Sequence, residues 1–173
     1  KRGKLLRRAA EDARRTAVLP PTTDRYRLLH CDVRQLADVL EPDSVDVICT
    51  DPPYPQEFLP LYGDLARLAA RVLKPGGSLL AMAGQSYLPQ VLALMTAVPG
   101  VAYQWTLAYL TPGGQATQLW ERKVNTFWKP VLWFVKGEYA GEWLGDVTRS
   151  AVNDNDKRHH HWGQSESGMA DLL

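Results

Sequence analysis

Apolar and polar positions follow two different periods along this chain, and the switches between them mark out its elements. In residues 4–15, Leu5, Leu6, Ala9, Ala10 and Ala13 recur near helical spacing. They predict a helix, which Pro20-Pro21 and Thr22-Thr23 separate from the rest of the chain. A short strand is predicted over 26–30, then a helix over 33–40 and a turn at Glu41-Pro42-Asp43-Ser44. Residues 45–50, Val-Asp-Val-Ile-Cys-Thr, are β-branched and apolar enough for a buried parallel strand. Residues 59–73 are amphipathic, with Leu61, Leu65, Leu68, Ala69 and Val72 on one face, and Pro75-Gly76-Gly77 ends that helix. Strands over 78–83, 101–110 and 131–135, a helix over 87–97 and a loop over 113–126 complete the core. Residues 138–161 read as polar loop. Strands alternating with helices imply an α/β fold of βαβ units around a parallel sheet. The last two strands lack an intervening helix and are predicted to pair antiparallel at an edge.

Composition narrows the class. A chain of 173 residues with 45% hydrophobic and 23% charged residues matches a globular domain able to bury a core. No apolar run reaches the roughly 18 residues of a membrane span, and no signal-peptide pattern is present. Cys31 and Cys49 fall on different predicted strands without metal-type spacing, which implies reduced, buried thiols and a cytoplasmic setting. The formal net charge is only +1, which argues against tight nucleic-acid binding by charge alone. The basic residues are nevertheless uneven, since residues 1–15 hold seven Lys or Arg against two acids. A solvated helix leading in from an upstream domain is the favoured reading of that run, over a phosphate-contacting one. A start at Lys1 and an end at Asp171-Leu172-Leu173, inside an apolar pattern, read as a piece of a longer protein. Residues 1–23 form the basic helix and linker in this reading, and 24–173 the catalytic region.

The chemistry concentrates at Asp51-Pro52-Pro53-Tyr54, directly after the strand at 45–50. Ligands of open α/β sheets bind beyond the carboxyl ends of the strands. An acid, two prolines and an aromatic ring there form a rigid polar platform, because proline fixes φ and removes a donor. In isolation such a tetrad would be a strand-ending turn. His159-His160-His161 lack acidic or cysteine partners at ligand spacing, so a polar loop is expected and no metal. Of the six tryptophans most are assigned to packing, with Trp128 the one that could stack near nucleic acid.

Taken with its context, the tetrad resembles the signature of DNA amino-methyltransferases of the permuted, beta-class-like kind. Leu73-Lys-Pro-Gly-Gly-Ser-Leu-Leu80 resembles the helix–turn–strand element that follows it. The lead-ins His30-Cys31-Asp32 and Asp43-Ser44-Val45-Asp46, the segment 125–137 with Lys129-Pro130, and residues 160–173 resemble further parts of that family. The resemblance implies a Rossmann-like methyltransferase sheet that uses S-adenosylmethionine, with DNA as partner. Its implied catalytic residues are Asp51, Pro52, Pro53 and Tyr54. It also implies that Asp32 contacts the cofactor's adenosine, although Asp32 could equally cap the helix from Val33. The resemblance assigns Asp51, Gln164 and Ser165 to the cofactor, the last two at its methionine end, and Tyr54 to the flipped base; Lys129 either approaches the flipped nucleotide or a phosphate, or is a solvated lysine before an edge strand. Gly84 and Gln85 either border the pocket or form a plain turn.

The family's glycine-rich cofactor loop does not occur in the sequence. The expectation is therefore a catalytic half without its cofactor-loop half, weak cofactor binding by this chain alone, and exposed strand edges that favour pairing of copies as a homodimer. An acidic first position in the tetrad favours adenine N6 over cytosine N4. A non-catalytic DNA-binding or assembly module is the competing class, and targeting is expected from an upstream domain.

Overall fold

A computed structural model describes residues 26–110, 117–150 and 165–173. The basic helix at 4–15, the histidine run and Gln164 lie outside the described residues. The chain divides into a unit of residues 1–32 and a unit of residues 33–173. In the first, the described residues show one isolated bridge at Tyr26 in place of the predicted strand, and Tyr26, Leu28 and Leu29 are exposed. A strand holds only where a neighbour takes up its backbone groups, and 27–30 form no ladder. Cys31 is exposed and off any strand, which corrects its reading as a buried strand residue.

The second unit is a mixed sheet with helices on both faces. A 3₁₀ turn (Val33–Gln35) runs into α1 (Leu36–Val39), and the Pro42-Asp43 turn leads to β1 (Val45–Thr50). Then come α2 (Pro60–Val72), β2 (Leu73–Met82), α3 (Leu88–Thr96) and β3 (Ala102–Leu110). A two-stranded hairpin of β4 (Thr117–Leu119) and β5 (Val124–Thr126) precedes β6 (Trp128–Val135), β7 (Val147–Arg149) and α4 (Glu166–Leu172). The sheet order is β1-β2-β6-β3-β7. β1 and β2 are parallel, as are β3 and β7, while β6 runs antiparallel to both β2 and β3. Among the described residues β1 pairs only with β2 and none of its residues is buried, Val47 being exposed, which corrects its reading as a buried strand: with a neighbour on one side only, it lies at the rim of the sheet.

Period-two alternation in the central strands separates two cores. Leu79 and Ala81 of β2 with Leu132 and Phe134 of β6 face α2 and α3, meeting Tyr62, Leu65, Ala69, Val91 and Met95. Leu80 and Met82 with Val131, Trp133 and Val135 face the other way, where Met169 and Leu172 of α4 pack. Proline at the start of α2 and α3 suits the first helical turn, whose N–H groups have no intrahelical acceptor.

Several expectations need correction. The buried face of α2 carries Tyr62 rather than Leu61, which is only half-buried. Gly76-Gly77 do not end that helix: it stops at Val72, and the chain passes straight into β2. The two glycines serve a bulge instead. Pairing jumps from Val45↔Leu73 to Val47↔Ser78; Gly76 has φ +82°, and a Cβ on Gly77 would lie 2.9 Å from the Asp46 and Lys74 carbonyl oxygens. β3 and β6 do pair antiparallel, but β6 lies inside the sheet between β2 and β3. The predicted loops at 113–126 and 138–161 contain the β4–β5 hairpin and β7. No helix among the described residues is long and apolar enough to cross a membrane.

Candidate active site

The direction of the strands decides which residues meet. β1, β2 and β3 all end at one edge of the sheet, and antiparallel β6 begins there. Asp51-Pro52-Pro53-Tyr54 leaves β1 at that edge, Ala83-Gly84 leaves β2, and Lys129 enters on β6. A backbone hydrogen bond from the Ala83 N–H to the Pro130 carbonyl, at 3.0 Å, ties the last two together.

Asp51 is the centre of the cluster. The Tyr54 hydroxyl donates to its Oδ1 at 2.5 Å, and the Lys129 ammonium lies 3.8 Å from its Oδ2 and 5.8 Å from the centroid of the Tyr54 ring. The Tyr54 ring is backed by Gly84, where a Cβ would lie 3.0 Å from Tyr54 Cβ and 3.2 Å from Cγ. A larger residue at 84 would press on the ring, so that the ring or its own loop must yield by a few tenths of an ångström. Tyr62 adds a second hydroxyl, which donates to the Met82 carbonyl at 3.1 Å.

Electrostatics tie these groups together. Burial, then the Asp51 charge, pushes the Tyr54 hydroxyl far above its ordinary value, and the same two causes raise Tyr62. Burial first and Asp51 second also raise the Cys49 thiol on β1. Each shift favours the protonated form, so the tyrosines stay hydrogen-bond donors and Cys49 stays a thiol at neutral pH. Asp51 thus contributes negative charge to a region otherwise lined by neutral donors, with Lys129 opposite it.

Asp51, Tyr54 and Lys129 are brought together; Pro52 and Pro53 bridge the first two along the chain. The Ser165 hydroxyl is buried and accepts the Gly168 N–H at 3.0 Å, capping α4. Asp32 belongs to the unit 1–32. Tyr62 and Cys49 were not singled out from sequence as site residues. Cys49 reads there as a buried thiol, Tyr62 falls outside the predicted apolar face of its helix, and only the fold brings both under the influence of the Asp51 charge. No group of three or more His, Cys, Asp or Glu among the described residues is placed to hold a metal ion.

A mixed sheet with one antiparallel strand set between parallel ones, helices on both faces and an acid–aromatic cluster at its carboxyl edge defines an α/β domain with its candidate site at strand ends. No protein-family model matches the chain, and no curated protein sequence does. Solved structures share the fold. The cytosine-N4-specific PvuII DNA methyltransferase superposes with a TM-score of 0.59 at 18% identity, over 74% of this chain and 58% of its own. The M1.HpyAVI–SAM complex superposes with a TM-score of 0.59 at 16% identity, over 83% of this chain and 72% of its own. The chain thus shares the Rossmann-like α/β fold of these two structures, and it spans little more than half of the first of them.

Proposed function

We propose that this chain carries the catalytic face of a DNA methyltransferase that moves a methyl group from S-adenosylmethionine to the exocyclic amine of a flipped base, with adenine N6 as the target. The observation that carries the reading is the Asp51 carboxylate, anchored by Tyr54 and faced by Lys129 at the carboxyl end of β1. Such an amine is a poor nucleophile, because its lone pair is delocalised into the ring. Two acceptors that take both amine hydrogens favour a pyramidal nitrogen with its lone pair directed outward. Asp51 supplies one acceptor and the Pro52 carbonyl the other, both set before reaction.

The Tyr54 ring, backed by Gly84, offers a face on which a flipped base stacks and recovers part of the unstacking cost of a few kcal/mol. Its hydroxyl, kept protonated by burial and by Asp51, holds the carboxylate in one orientation. Lys129 balances the acid's charge and stands where it can meet the nucleotide's phosphate or ring edge. The cofactor supplies an electrophilic methyl on a sulfonium centre, and the SAM carried by the M1.HpyAVI structure supports that donor. The carboxylate of Asp51 suits a cationic sulfonium nearby. Asp32, Gln164 and Ser165 remain proposed cofactor residues. Ser165 accepts the Gly168 N–H as the cap of α4, and a hydroxyl that accepts one bond keeps its own O–H to donate.

Cytosine N4 is the second reading, favoured by the likeness to the PvuII enzyme. Both targets present the same kind of amine to the same two acceptors, so product analysis separates them. The test is methyl transfer from labelled S-adenosylmethionine to mixed-sequence DNA by the natural-length protein that carries this chain, beside its Asp51→Ala and Asp51→Asn variants. N6-methyladenine lost in both variants supports the first reading, and N4-methylcytosine the second. A folded, cofactor-binding protein that methylates no base would overturn both.

A further inference from the structure

The β4–β5 hairpin is built unlike the rest of the molecule. It forms its own two-stranded sheet, paired Thr117↔Thr126, Gln118↔Asn125 and Leu119↔Val124, and shares no ladder with the main sheet. Its side chains belong to neither core. It nevertheless displays large aromatic groups, with Trp120 at the tip 80% exposed and Phe127 at the base 70% exposed. Between them stand Glu121, Arg122 and Lys123, the last with φ +54° at the tight end of the turn. The tip is therefore net positive as well as apolar.

Its position follows from topology. The hairpin lies between the end of β3 and the start of β6, which pair there as Leu110↔Trp128, so it rises from the same sheet edge as Asp51. Phe127 is two residues from Lys129. The tip is pinned on the far side: the Arg122 guanidinium donates to the Ser86 carbonyl at 2.9 Å, in the turn that follows Gly84, the glycine behind the Tyr54 ring.

We infer that this hairpin is a duplex-DNA contact wing, in which Trp120 and Phe127 stack against or wedge between bases while Arg122 and Lys123 meet phosphates. The choice of DNA rests on the methyltransferase reading above; the choice of surface rests on the exposed aromatic pair, the cations between them and their place beside the site. A base drawn toward Asp51 leaves a gap in its duplex, and an aromatic ring on a basic ribbon at the same edge is the chemistry that fills such a gap. The remaining donors of Arg122 stay available for a phosphate while one holds Ser86.

The test measures the affinity of the natural-length protein for a fluorescent mixed-sequence duplex by anisotropy, without methyl donor, at several salt concentrations. Sedimentation of the protein and methyl transfer are followed in parallel. Trp120→Ala with Phe127→Ala is expected to weaken binding by roughly tenfold or more, the loss of stacking on one or two bases. Lys123→Asn keeps a residue that accepts positive φ and removes the charge, so the slope of log affinity against log salt should become shallower by about 0.9. Unchanged far-UV dichroism in each variant separates these effects from misfolding. Variants that bind the duplex like the parent overturn the wing while leaving methyl transfer by the parent intact. A parent that transfers methyl groups to free nucleosides but binds no duplex also overturns it. Variants that only dissociate a dimer, with unaltered DNA affinity, identify the surface as an interface between copies and overturn the DNA assignment.

Discussion

Gly84→Ala is the sharpest probe of the site, because the perturbation is one methyl group aimed at one ring. Gly84 sits at φ −76°, ψ 136°, a conformation alanine adopts without strain, so its backbone gives no reason for glycine. The reason is space. A Cβ there would lie 3.0 Å from Tyr54 Cβ, 3.2 Å from Cγ and 3.4 Å from Cδ2. Carbon atoms rest at about 3.5–4.0 Å, so the ring or the loop must yield by roughly 0.5 Å. The loop is held by the hydrogen bond from Arg122 to Ser86, and the easier relief is for the ring to move toward the proposed base site.

Overpacking of this kind costs about 1–3 kcal/mol, offset by about 0.4–1 kcal/mol from the reduced freedom of the unfolded chain. A net loss near 1 kcal/mol corresponds to a melting midpoint lower by about 2–4 °C. The effect on chemistry should be larger. A misplacement of about 1 Å can cost about a hundredfold in rate, so half that displacement should lower kcat for methyl transfer by about tenfold. Gly145→Ala, which meets nothing within 4 Å, is the matched control and should change neither quantity. Melting by dichroism and single-turnover transfer are the assays. A Gly84→Ala protein with full kcat would refute the assignment of the Tyr54 ring as the base platform, whatever its stability.

Three further outcomes rest on the same geometry. Tyr54→Phe removes the hydrogen bond to Asp51, so the protein should lose roughly 1.5 kcal/mol in urea denaturation and transfer methyl groups about tenfold more slowly, while a kcat at the parent level would show that the bond does not orient the acid. Trp133→Phe abolishes the buried bond from its indole N–H to the Ser78 hydroxyl, at 3.0 Å, and should cost about 1–3 kcal/mol of stability with no change in kcat, since that pair lies in the core packed against α4. Asp171 is held below its ordinary value of 3.8 chiefly by the Arg149 backbone N–H, which donates to it at 2.9 Å. A depressed carboxyl stabilises fully above its unfolded value and loses that contribution as pH falls through the folded one, so α4 should loosen from β7 only below about pH 3.8. Amide exchange along an acid titration checks this, and Asp171→Asn should remove the acid step.

Elements that bury a continuous apolar stripe were legible in the sequence. The span of α2 was read to within a residue or two because Leu65, Leu68, Ala69 and Val72 keep helical spacing; the span of β1 was legible from its β-branched Val45, Val47 and Ile48, although none of its residues is buried. The parallel pairing of β1 with β2 followed from the helix between them. The elements that were missed lack such a stripe. Thr117-Gln118-Leu119 and Val124-Asn125-Thr126 are three residues each, mostly polar and exposed, and are held by pairing with each other; Val147-Thr148-Arg149 depends on its ladder with β3. Pairing partners distant in sequence carry no local period. For the same reason Asp51 and Tyr54 stood out as a contiguous motif, whereas Cys49 looked like core and Tyr62 carried no signal of its own.

The antiparallel placement of β6 explains why the site has the composition it has. In an all-parallel sheet every strand would arrive at the carboxyl edge with its end, and a residue entering on a strand's first turn would lie on the opposite side of the domain. β6 reverses that rule between β2 and β3. It delivers Lys129, the second residue of its strand, to the edge where Asp51 and Gly84 leave theirs. It also forces the connection from β3 to stay at that edge, and this is the position from which the hairpin projects. The cation opposite the acid and the aromatic ribbon beside it therefore share one cause. A redesign that preserved the Asp51-Pro52-Pro53-Tyr54 turn but returned β6 to parallel would keep the motif and lose both.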